Sequence, residues 1–74
     1  MEYELIREIF NKCSNNQMRD VFVSEVETDD PEQYVRDYFK GKELEMDRTD
    51  MSDGSVVFDL VVDTLPQRFS FTPA

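Results

Sequence analysis

Tyr3-Glu-Leu-Ile-Arg-Glu-Ile-Phe-Asn-Lys-Cys13 is the stretch on which the fold class turns. Leu5, Ile6, Ile9, Phe10 and Cys13 recur at i, i+1, i+4, i+5 and i+8, one stripe of a helix. Glu2 and Glu4 fall in the first turn and Lys12 in the last, which suits the helix dipole. Ser14-Asn15-Asn16 supply turn formers behind it. The spacing predicts a helix over residues 3–13.

Working outward, residues 20–28 read as a strand. Val21, Phe22 and Val23 are consecutive and apolar, so this half should be covered on both faces; the second half turns polar. Asp30-Pro31-Glu32-Gln33 is a helix start: Asp30 caps, Pro31 suits the first helical position, and Gln33 completes a capping-box-like exchange. Tyr34, Val35, Tyr38 and Phe39 form its stripe, and Gly41 is placed to stop it.

Residues 43–50 and 56–63 are strands around Ser52-Asp53-Gly54-Ser55. A two-residue Asp53-Gly54 loop would set Arg48 opposite Asp59 and turn Leu44 and Met46 away from Val56, Phe58, Leu60 and Val62. A three-residue Ser52-Asp53-Gly54 loop, with Gly54 left-handed, places Leu44 and Met46 on the same apolar face and Asp47 opposite Asp59. An aliphatic side chain buried contributes about 1.5–3 kcal/mol, against about 0.2–1 kcal/mol for a cross-strand charge pair, so the three-residue loop is favoured. Leu65-Pro66-Gln67 interrupts the pattern, residues 68–72 alternate as a final strand bearing Phe69 and Phe71, and Pro73 stops it.

The expected fold is α+β: one small two-layer domain over residues 1–74, order α-β-α-β-β-β, a mostly antiparallel sheet with two helices on one face. A chain of 74 residues has room for one thin core and no deep cleft.

The 17 acids against 8 bases give a net charge of −9. That disfavours direct nucleic-acid binding and docking on anionic membranes, and favours a basic protein partner. There is no His, which removes His acid–base chemistry and zinc–His sites. Cys13 has no partner for an internal disulfide and lies on the apolar stripe, which reads as a buried structural thiol. Gly41 and Gly54 are isolated, so no phosphate loop forms and no cofactor is expected. An acidic N-terminal stretch and the absence of a long apolar run point to the cytoplasm.

Two acidic groups are candidate contacts. Glu25, Glu27, Asp29, Asp30 and Glu32 make a run without a base, either a docking patch or a solvated strand end followed by a helix cap. Asp47 and Asp59 are cross-strand neighbours in the favoured register, with Asp63 and Glu45 nearby. Aligning Gly54 with the glycine of a calcium loop puts Leu60 where a bidentate Glu belongs, so that loop is not formed. Tyr34, Tyr38 and Phe39 offer an aromatic surface or simply pack on the sheet. Val57 and Val61 on the outer face, or an exposed final strand, would serve a homodimer. The sequence therefore points to a small non-enzymatic module that docks a basic protein through Glu25, Glu27, Asp29, Asp30, Glu32, Asp47, Asp59 and Asp63. The alternatives are a nucleic-acid mimic and a subunit of a carboxylate- or metal-dependent enzyme.

Overall fold

The computed structural model describes residues 1–10 and 19–74. Its elements are β1 (Glu2–Phe10), β2 (Arg19–Glu27), α1 (Pro31–Tyr38), β3 (Leu44–Asp50), β4 (Val56–Val62) and β5 (Leu65–Pro73). The strands form one antiparallel sheet in the order β2-β1-β5-β4-β3. The expected α+β domain with two helices on one face is therefore not formed: the described residues make a five-stranded antiparallel sheet with one short helix. The expected Cys13 thiol and the Ser14-Asn15-Asn16 helix end lie outside the described residues.

Glu2–Phe10 is a strand because its residues satisfy a two-residue period as well as a helical one. Tyr3 and Leu5 point into the core, whereas Glu2 and Glu4 point out. Tyr, Ile and Phe also fit a pleated surface better than a helix. Tyr3, which the helical stripe leaves out, meets Phe71 edge-to-face with ring centroids 5.9 Å apart. The strand then pairs on both sides, with β2 and with β5, so its backbone groups need no helix to satisfy them.

The core lies between α1 and one face of the sheet. Leu5, Phe58, Leu60, Val62, Phe69 and Phe71 are buried from below, and Val35 and Phe39 close it from above. Phe71 is the hub: Tyr3, Tyr34 and Phe58 all meet its ring at 5.7–5.9 Å, near-perpendicular, the favoured geometry for aromatic quadrupoles. Asp30 caps α1 by accepting a hydrogen bond from the Gln33 amide at 3.2 Å, with Pro31 in the first turn, as its sequence predicts.

The β3–β4 register agrees with the favoured loop. Leu44 faces Val62, Met46 faces Leu60, and Asp47 faces Asp59. The Met51 amide donates to the Ser55 carbonyl at 2.8 Å, which leaves Ser52-Asp53-Gly54 as the loop, with Gly54 at φ +89°. The next hairpin was not legible. Its strands run to Val62 and from Leu65, so Asp63 and Thr64 alone turn the chain, both left-handed at φ 48° and 70°. Such a turn matches the twist of the flanking strands; Asp63 suits its first position, but its second normally takes Gly, not Thr.

Two expectations about edges are also corrected. β5 lies at the centre of the sheet and offers no open edge. β2 is an edge strand, so Val21-Phe22-Val23 is exposed and not covered on both faces. Helix α1 packs over the middle strands, and among the described residues nothing covers this flank.

Candidate docking surface

The face of the sheet away from α1 carries Glu2, Glu4, Ile6, Glu8 and Phe10 from β1, and Val21, Val23, Glu25 and Glu27 from β2. Their order follows from strand alternation and the register. The Thr28 amide donates to the Met1 carbonyl at 3.0 Å, so Met1 and Thr28 form a hydrogen-bonded pair. The next pair, Glu2 and Glu27, is then of the non-bonded type, and so is Glu4 with Glu25. Cα atoms in such pairs approach to about 4.5 Å and bring their side chains together. Four carboxylates thus share one end of the open face, and none forms an ion pair with a described residue. Like charges directly opposed across strands are destabilising.

A second acidic row crosses the sheet at Glu8, Arg68, Asp59 and Asp47. Here a cation intervenes. The Arg68 Nε donates to the Asp59 Oδ1 at 2.8 Å. That hydrogen bond, with the attraction of Asp59 and Glu8, raises the Arg68 pKa above its ordinary value. Asp47 and Asp59 are brought together as the register requires, on an exposed face. Val57 and Val61 lie on this face as well, Val61 exposed and Val57 half-buried.

The acidic run 25–32 is divided by the sheet. Glu25 and Glu27 belong to the quartet on the open face. Asp29 is exposed in the following turn, 3.3 Å from the Met1 amino group, and Asp30 is committed to the helix cap. Glu32 lies on α1, 3.4 Å from Arg36 and 3.7 Å from Arg48 of β3. Asp63 is taken up by its own turn: its Oδ1 accepts from the Glu43 amide at 3.1 Å, and its Oδ2 lies 3.6 Å from the Lys42 Nζ. The sequence reading missed Glu2 and Glu4. Their alternation with Tyr3 and Leu5 was the available signal.

Shallow concavities on the described surface share this character. One runs beside α1 between Asp29, Asp30, Asp37 and the two tyrosines, a second lies among Glu2, Glu25 and Glu27, and a third among Glu43, Glu45 and Asp63. No Lys or Arg lines any of them.

Aromatic side chains of α1 divide between core and surface. Tyr34 is half-buried against Phe71. Tyr38 is exposed, and its hydroxyl accepts a hydrogen bond from Arg7. The Arg7 guanidinium lies between two rings, 5.0 Å from Phe22 and 5.5 Å from Tyr38.

No family model matches this chain, and no match is found among curated proteins or solved structures. Among the described residues, no group of three or more Asp, Glu or Cys side chains is placed to hold a metal ion. Nor is any helix long and apolar enough to cross a membrane.

Proposed function

We propose that this protein is a binding module whose open sheet face docks a Lys/Arg-rich segment of a protein partner. The observation that carries the reading is the quartet Glu2, Glu4, Glu25 and Glu27, held in close cross-strand pairs without a cation among the described residues. A fold that keeps four like charges side by side gains from any ligand that neutralises them. Basic side chains at a two-residue period would reach successive carboxylates along an extended segment. Nucleic-acid mimicry draws less support, because Arg68 interrupts the second acidic row between Glu8 and Asp59. The enzyme reading has only the exposed Asp47–Asp59 pair behind it.

The test is an amide NMR titration with a short peptide of alternating lysine and alanine. Shifts confined to residues 2–5 and 24–27, weakening as salt rises from ~50 to ~500 mM, and lost in the Glu4→Gln, Glu25→Gln double variant, support the reading. Shifts spread evenly over all acidic surfaces, or unchanged in that variant, remove it.

A further inference from the structure

The two edges of the sheet differ in kind. β3 presents Glu45, Asp47, Arg48 and Asp50, a charged edge that resists pairing with another chain. β2 presents Val21, Phe22 and Val23, which are 50%, 45% and 65% exposed. Among the described residues no strand lies beyond β2.

The hydrogen-bonding pattern of this edge is fixed. Since Met1 and Thr28 are a bonded pair, the even-numbered residues of β2 bond inward to β1. The amides and carbonyls of Val21, Val23 and Glu25 therefore point outward, with no partner strand among the described residues. An occupant must be an extended chain that matches apolar residues on both faces of β2 at once, because Val21 and Val23 lie on the open face and Phe22 on the helix face.

We infer that the occupant is β2 of a second copy, paired antiparallel about a two-fold axis at Phe22. In this register Val21 of each copy meets Val23 of the other, and Phe22 meets Phe22. The pairs of Val21 with Val23 join outward-pointing groups on both sides, so they are hydrogen-bonded; Phe22 with Phe22 is a non-bonded pair. Glu25 falls opposite residue 19. Asp20 falls opposite Ser24. Other axes also join outward-pointing groups but match the side chains less well: at Val23, Val21 meets Glu25 and Phe22 meets Ser24; at Val21, Phe22 meets Asp20; at Ser24, Val23 meets Glu25. The self-complementary arrangement is thus specific to one register. It makes one continuous ten-stranded sheet, twice the five strands of the single chain, with an Arg7-stacked Phe22 from each copy at its centre. This inference does not rest on the docking of a basic segment, and the two surfaces share Glu25 alone, at the margin of the paired segment.

Sedimentation equilibrium tests it first. The expected mass is twice the 8.8 kDa of the chain, returning to the single-chain mass in Val23→Lys with an unchanged far-ultraviolet spectrum. Cross-linking tests the register without relying on that variant. In a Cys13→Ser background, Phe22→Cys places two Cα atoms at about 4.5 Å, within disulfide range. Phe22→Cys should oxidise to a covalent dimer at least ~10-fold faster than Met51→Cys, an exposed position outside the interface. A single-chain mass up to ~1 mM overturns the inference. So does a dimer in which Phe22→Cys cross-links no faster than Met51→Cys.

Discussion

Thr64 holds the least favourable backbone conformation in the described chain. It is β-branched, and at φ 70° its side chain crowds the adjacent carbonyl. Strain of this kind costs about 1–3 kcal/mol, against about 0.5–1 kcal/mol of extra unfolded-state entropy for glycine. Thr64→Gly should therefore raise the unfolding free energy by about 1 kcal/mol in a urea titration. Thr49→Gly, in the extended strand β3, should lower it. Asp53 makes a different kind of prediction. Its Oδ1 accepts from the Ser55 amide at 2.9 Å, and this hydrogen bond holds its carboxyl below the ordinary carboxylate value. A group more acidic when folded contributes stability above its unfolded pKa and loses it as pH falls through the folded one. The contribution of Asp53 should be full at neutral pH and fade below about pH 4. Thermal melts of Asp53→Ala and the parent should differ at pH 7 and converge near pH 2.

At the scale of elements, Gly54 decides the β3–β4 hairpin. Any side chain there is strained at φ +89°, and a Cβ would also lie 3.4 Å from the Pro73 Cγ. Gly54→Ala should cost about 1–2 kcal/mol, read by chemical denaturation, with β3 showing the earliest loss of amide protection. This hairpin was legible because two signals agreed: a glycine at the turn, and apolar residues whose parity allowed only one register to bury Leu44 and Met46. The next hairpin gave a weaker signal: Asp63 suits positive φ, but Thr64 stands where a glycine would mark the turn. β1 was misread for a third reason. β1 places Leu5 and Ile9 on its helix face and Ile6 and Phe10 on its open face, so these four residues fit a helical stripe as well as two sheet faces. That one misreading also hid the quartet. Within a helix, Glu2 and Glu4 complement a dipole; within β1 they stand beside Glu27 and Glu25. Long-range pairing between residues 2–5 and 24–27 has no local signature.

For the whole molecule, the question is why a chain with net charge −9 gathers carboxylates at all. Seventeen acids spread evenly over a small surface would keep it soluble at less electrostatic cost. Each opposed glutamate pair instead costs about 0.2–1 kcal/mol, and the quartet holds two such pairs. Stability sacrificed in one place is the pattern expected of a surface kept for binding. The two properties should therefore move in opposite directions. Replacing Glu2, Glu4, Glu25 and Glu27 by Gln should raise the unfolding free energy by roughly 0.5–2 kcal/mol and flatten its dependence on salt. The same variant should lose affinity for a lysine-rich peptide. Urea titrations at low and high salt, run beside the peptide titration, read both at once. A variant that is more stable and no longer binds places function in the quartet. If the parent is the more stable protein, the carboxylates are held by favourable contacts and the argument from opposed charge fails. If stability rises while peptide affinity is retained, the repulsion is real but the basic segment docks elsewhere on the surface.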